Sequence, residues 1–184
     1  MAIARSEAIR SIPLKSHDPR YFDITSPAAI ARQMNHLFPM MSEIPQYFTM
    51  IYGILDQRNG ELRYVSTGHP APIVIPKQGD PVLLSSQGFP VGLLPDADYH
   101  DELFQLRPGD RVYLYSDGIP KTTNHAEEEF GMERCKSSLL NERGFSLEES
   151  LKRLISSVDR WRQGDSPQDD ITLLGMEYRG PSGS

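Results

Sequence analysis

The chain has 184 residues, of which 38% are hydrophobic and 24% charged, enough for one domain with a real core and unlike a disordered or fibrous chain. Its formal net charge of −6 argues against a partner held through nucleic-acid phosphates, and no apolar run approaches the length of a membrane span. The amino-terminal stretch carries Arg5, Glu7 and Arg10, so no signal peptide is visible, and the single cysteine, Cys135, excludes an internal disulfide framework and suits a reducing cytoplasm.

Residues Met1 to Ile12 read as a helix with Ile3, Ala8, Ile9 and Ile12 on its apolar side, but no capping residue precedes its first turn. Pro13 to Thr25 reads as loop. Ser26-Pro27 is a cap followed by proline at the first helical position; Ile30, Met34, Leu37 and Phe38 then share one face until Pro39 ends the helix. After a connector over Met40 to Pro45, Gln46 to Asp56 is the longest strand candidate. It is apolar on both alternating faces, which predicts cover on each side.

Asn59-Gly60 predicts a hairpin that returns through Glu61 to Thr67. A stiff loop, Gly68-His69-Pro70-Ala71-Pro72, precedes Ile73-Val74-Ile75, and Gln78-Gly79-Asp80 turns into Val82-Leu83-Leu84. Four short strands with tight turns predict an antiparallel meander. Gly88 to Asp98 reads as an ordered loop over the core, and His100 to Leu106 as a further strand. Pro108-Gly109-Asp110 is a turn signal, and Val112 to Tyr115 is a short apolar and aromatic run, a buried strand that delivers Ser116-Asp117-Gly118. Pro120 to Glu129 is polar, late-acidic and predicted to be a mobile surface loop.

Phe130 to Glu142 is a helix candidate carrying Met132, Cys135, Leu139 and Leu140. Ser146 and Glu149 form a capping box for the next helix, whose stripe is Leu147, Leu151, Leu154, Ile155, Val158 and Trp161, with Gly164 at its end. Asp169-Asp170 leads into a final strand, Ile171 to Tyr178. The pattern predicts one domain over residues 1–179 and a tail over 180–184, with no internal repeat.

Chemistry is concentrated at two acidic points. Asp117 stands at the exit of a buried strand, with glycine beside it; Asp169-Asp170 stands at the entry to another. If those strands are antiparallel neighbours, Asp117 and Asp169 meet at one rim, and two convergent carboxylates bind a hard divalent cation, Mg²⁺ or Mn²⁺. The plain alternatives are an Asp-Gly turn and a solvated acid pair. For Asp170 the plain reading is preferred, since two consecutive strand residues point to opposite faces. His69, in its proline-rich loop, is read as structural, and Cys135 as core. The five histidines are scattered, without metal-ligand spacing.

Tyr115-Ser116-Asp117-Gly118-Ile119, Thr67-Gly68-His69-Pro70-Ala71-Pro72, Phe89-Pro90-Val91-Gly92-Leu93-Leu94-Pro95, Arg107-Pro108-Gly109-Asp110, Phe130-Gly131 and Gln168-Asp169-Asp170-Ile171-Thr172-Leu173-Leu174 together resemble the metal-dependent serine/threonine phosphatases of type 2C, in the bacterial sigma-regulator branch that includes SpoIIE and RsbU. The resemblance implies an α+β fold, an α-β-β-α sandwich of two antiparallel sheets flanked by helices. It implies hydrolysis of phosphoserine or phosphothreonine without a covalent intermediate, with two Mn²⁺ or Mg²⁺ ions activating a water. The implied substrate is a phosphorylated regulatory protein of the anti-sigma-factor antagonist type. By position, Asp117 and Asp169 correspond to metal ligands, Gly118 lets the backbone approach the site, and Asp170 stands behind the ligands.

Two departures stand out. The family's amino-terminal strands and its Asp-x-x-Gly-His-Gly motif, which supplies the bridging carboxylate, have no counterpart in this sequence. The chain opens at what resembles the helix after that motif, and so reads as a fragment, a misplaced start or a degenerate domain, with a sheet edge expected to be exposed. Second, Lys121 stands where relatives often carry an acid. A rival reading is therefore a catalytically impaired phosphatase-like module that binds a protein partner; a third is an output domain for an upstream sensor or receiver domain.

Overall fold

The computed structural model describes residues 25–38, 47–85 and 87–181; the expected helix over Met1 to Ile12 and the connector over Met40 to Pro45 lie outside them. Among the described residues three helices, α1 (Pro27–Leu37), α2 (Gly131–Asn141) and α3 (Leu147–Trp161), accompany seven strands: β1 (Met50–Asp56), β2 (Glu61–Thr67), β3 (Ile73–Ile75), β4 (Val82–Leu83), β5 (Glu102–Gln105), β6 (Arg111–Tyr115) and β7 (Leu173–Glu177). The strands form two antiparallel sheets, ordered β1-β2-β5 and β4-β3-β6-β7. Helix α1 lies against β1 and β2, while α2 and α3 cover β3 and β7 of the other sheet. This is the expected α-β-β-α sandwich.

Period-2 alternation sorts the core into layers. On the second sheet Ile73, Ile75, Tyr113 and Tyr115 face the helices, where they meet Cys135, Leu139, Leu154 and Val158. Val74 and Val112 point the other way, into the space between the sheets, with Leu62, Tyr64, Leu106 and Tyr178. Val65 turns to the far face and meets Ala28, Ala31 and Tyr99. Truncating a buried residue such as Leu154 to alanine costs about 2–5 kcal/mol at such positions.

The caps fall where they are expected. Ser26 Oγ accepts the Ala29 N–H at 3.2 Å, and Ser146 Oγ accepts the Glu149 N–H at 3.2 Å. The Asp101 carboxylate adds a tertiary cap by accepting the Ala28 N–H at 2.6 Å. Asn35, buried on α1, ties down the 88–98 loop: its Oδ1 accepts the Gly92 N–H at 2.7 Å, and its Nδ2 donates to the Leu94 and Pro95 carbonyls. Asp110 explains the Arg107-Pro108-Gly109-Asp110 motif. Its carboxylate accepts the Arg107 and Lys77 N–H groups, each at 2.9 Å, and locks the turn into β6.

Four expectations are corrected. There is no continuous meander, because β2 pairs with β1 and β5, and the chain changes sheets through the Gly68–Pro72 loop before β3. β1 begins at Met50, after Phe48 makes only an isolated bridge to Val91. Among the described residues it lies at a sheet edge and is only partly covered: α1 packs against one face, Tyr52 and Gly53 are exposed, and the apolar inner face opens onto a cleft of about 180 Å³ shared with Leu114, Leu174 and Met176. Among the described residues, β1 and β7 each pair with one neighbouring strand. Finally, the 120–129 segment is tied rather than loose. Asn124 Oδ1 accepts the Ala126 and Glu128 N–H groups, and the Phe130 N–H donates to the Thr122 carbonyl at 2.7 Å.

Candidate active site

β6 is buried along nearly its whole length, so its carboxy-terminal end is rigidly placed; Tyr115 Oη donates to the Ala71 carbonyl at 2.7 Å. The β6–β7 ladder runs to the Tyr115–Leu173 pair, and Ser116 carries the contact one step further. Its N–H donates to the Thr172 carbonyl at 3.0 Å, and its Oγ donates to the Asp170 carbonyl at 2.7 Å while accepting the Thr172 N–H at 2.9 Å. Gly118 then lies directly on the Asp169–Asp170 peptide. A Cβ at this position would stand 2.6 Å from the Asp170 carbonyl oxygen, so the two segments approach this closely only because residue 118 has no side chain. The backbone thereby brings Asp117 and Asp169-Asp170 to one rim of the second sheet.

The rim is electrostatically loaded. Asp117 is half exposed, and Lys121 Nζ stands 2.6 Å from its Oδ2. That hydrogen bond holds the Asp117 carboxyl below its ordinary range, against the opposing effect of burial. The same bond raises Lys121, helped by the charge of Asp117 and more weakly by those of Asp169 and Glu129. Asp169 Oδ1 accepts the Asp170 N–H at 2.8 Å. The Asp170 side chain is exposed, and its link to Ser116 runs through its carbonyl rather than its carboxylate.

Beside Asp117 a cleft of about 420 Å³ is lined by Thr49, Gly68, His69, Pro70 and Ser116. His69 Nδ1 lies 3.5 Å from Thr49 Oγ1. Burial pushes the imidazole pKa down, while the nearby Asp117 charge opposes that shift. The sequence reading sets His69 aside as structural; the structure stands it on the wall of the cleft that holds Asp117. The one signal for this was the Gly-His-Pro loop at the end of a buried strand, and it became informative only once β2 and β6 ended on the same side. Cys135 is buried mid-helix as expected, and burial pushes its thiol up to about 12.

The donors at the rim are carboxylate oxygens, hard ligands suited to Mg²⁺ or Mn²⁺, ions commonly held through one or two carboxylates with water completing the shell. Among the described residues no three His, Cys, Asp or Glu side chains converge on one point. The set fits a single such ion coordinated largely by water; it does not by itself make a two-ion centre.

The family model of Stage II sporulation protein E (SpoIIE) matches residues 1–179. The chain belongs to the SpoIIE family. Its SpoIIE domain is 27% identical to Protein IcfG of Synechocystis over 142 residues, 74% of this chain and 21% of that one. It is 26% identical to the phosphoserine phosphatase RsbU of Bacillus subtilis over 156 residues, 83% of this chain and 45% of RsbU. The chain thus spans less than half the length of these relatives. The SiaA-PP2C domain of Pseudomonas aeruginosa superposes on this SpoIIE domain with a TM-score of 0.73 at 21% identity, covering 83% of this chain and 61% of that domain. The fold is that of a type 2C phosphatase, as the six motifs imply.

Proposed function

We propose that this domain hydrolyses phosphoserine or phosphothreonine on a regulatory protein of the anti-sigma-factor antagonist class, with Asp117 and Asp169 holding Mn²⁺ or Mg²⁺. What supports this reading is the close approach of the backbones that carry Asp117 and Asp169, at the ends of antiparallel neighbouring strands and with Asp117 beside an open cleft. The naming of RsbU as a phosphoserine phosphatase supports the substrate class. Kinship with a structure of linked RsbU and RsbW domains supports a partner in the same kind of circuit. An upstream sensor or receiver domain as input and a cytoplasmic setting belong to the same proposal. Among the described residues no helix is long and apolar enough to cross a membrane.

The residues divide the work physically. A bound divalent cation supplies Lewis-acid stabilisation of phosphoryl charge and a water of lowered pKa. Asp117, mounted in the turn just after β6, and Asp169, mounted at the approach to β7, would anchor that charge. Ser116 and Gly118 hold the two backbones in register, so neither carboxylate pays for reorganisation when substrate arrives. Thr49 and His69 line the cleft on the side where a phosphoryl group would enter, and their ring and hydroxyl offer it polar contacts. Asp170 stands behind as a backbone acceptor.

The test is hydrolysis of p-nitrophenyl phosphate and of a phosphoserine peptide by the full chain, with Mn²⁺ titrated. Manganese-dependent turnover that disappears in Asp117→Asn and Asp169→Asn is expected. Turnover that survives both substitutions would exclude this rim as the site. A second reading, a phosphatase-like module that binds its partner without turnover, is favoured by one observation: the chain's own Lys121 is ion-paired with Asp117. Complete inactivity at millimolar Mn²⁺, with retained binding of a phosphorylated partner, is its signature.

A further inference from the structure

Lys121 is not placed by chance. Asp117 to Lys121 forms a single helical turn directly after β6, closed by the Lys121 N–H donating to the Asp117 carbonyl at 3.0 Å. Thr122, buried, donates its Oγ1 to the Gly118 carbonyl at 2.6 Å, and Ile119 is fully buried beneath the turn. Pro120 restricts the backbone between them. Residues four apart on such a turn face each other, so the backbone aims the Lys121 side chain back at the Asp117 carboxylate. The ammonium, 2.6 Å from Oδ2, sits in the field of Asp117, Asp169 and Glu129 together. Its side chain is 62% exposed and has room to swing outward.

We propose that Lys121 is a tethered counter-cation that competes with a divalent ion for the Asp117–Asp169 rim. The inference rests on the metal reading given above. An ion bound to a carboxylate stands about 2.1 Å from its oxygen. The ammonium already stands within hydrogen-bond distance of Asp117, so both positive charges on one carboxylate repel each other at close range. Metal entry is therefore opposed while Lys121 stays on Oδ2, and the chain lowers its own metal affinity by the strength of that pair. A substrate phosphoryl group in the adjacent cleft offers the displaced ammonium a new anion. Occupancy of the rim is thereby coupled to arrival of the phosphorylated partner.

Manganese binding, read as the loss of the free Mn²⁺ electron paramagnetic resonance signal, tests this without relying on activity. Lys121→Met is expected to bind Mn²⁺ a few-fold more tightly than the native chain, as the loss of an exposed pair allows, and Lys121→Arg no more tightly. Asp117→Asn is expected to weaken binding, and in the double variant to abolish the gain. The Lys121 backbone bonds survive these changes, and circular dichroism verifies the fold of each. If Lys121→Met and the native chain bind alike while Asp117→Asn weakens both, the metal site stands and the competition is overturned. If Asp117→Asn changes neither, or if Lys121→Met binds no Mn²⁺ at millimolar concentration, the inference falls together with the metal reading.

Discussion

Ser116 Oγ donates to the Asp170 carbonyl at 2.7 Å and, in the same geometry, accepts the Thr172 N–H at 2.9 Å. One hydroxyl thus joins the end of β6 to the approach to β7 past the last ladder pair. Ser116→Ala removes both bonds while keeping the backbone contact from its own N–H. Two bonds at a partly solvated rim put the loss at about 1 kcal/mol in urea unfolding. The larger expected effect is on manganese affinity, since Asp169 loses its fixed distance from Asp117. A variant with native affinity would show that the ladder alone positions the rim.

Gly118→Ala is a sharper perturbation. The added methyl would meet the Asp170 carbonyl oxygen at 2.6 Å, and this neighbour is backbone, so the rim must open. Overpacking of this kind costs about 1–3 kcal/mol. The expected result is a lower thermal midpoint together with weakened metal binding, whereas alanine at Gly144, where nothing lies within 4 Å, leaves both unchanged.

Among the three acidic residues the expected order is unequal. Asp117→Asn and Asp169→Asn lower manganese-dependent hydrolysis on the order of 100-fold or more, as loss of a charged ligand should. Asp170→Asn lowers it only a few-fold, because its contribution runs through the carbonyl that asparagine retains. Thermal melts of all three are expected to stay within about 1 kcal/mol of native, since the Asp117–Lys121 pair is exposed and contributes little to stability. Equal losses for Asp169→Asn and Asp170→Asn would mean that both carboxylates face the cleft.

Cys135 gives a prediction independent of the site. Burial raises its thiol from 9.0 to about 12, so in the native protein it is a neutral core group and should react with Ellman's reagent only after unfolding. The sign for stability follows. A folded-state pKa above the unfolded one means that the unfolded chain loses its proton first as pH rises. Stability is fully present below pH 9 and drains away between about 9 and 12. Tyr115, which burial also shifts upward, acts in the same direction. Urea midpoints that fall from pH 8 to pH 11 are expected, with a smaller fall in Cys135→Ala; a flat profile would refute the buried neutral thiol.

Local chemistry was legible in the chain. The Ser26 and Ser146 caps, the Asn59-Gly60 hairpin, the Val112–Tyr115 run and the two acidic points are short-range signals, because capping, turn formation and face alternation depend on residues within a few positions of one another. Partnership was not. Four consecutive strands suggested a meander, but β2 chooses β5 and β3 chooses β6, since pairing is decided by which apolar faces can be buried together, and periodicity names a face without naming its partner. The same holds at the rim. An approach of Asp117 and Asp169 was conditional on their strands being neighbours and was implied by the family resemblance, whereas the arrival of His69 on the cleft wall, the use of Asp170 through its carbonyl and the aim of Lys121 at Asp117 required the folded chain. Each of these depends on where distant backbones come to rest, and only close packing fixes that.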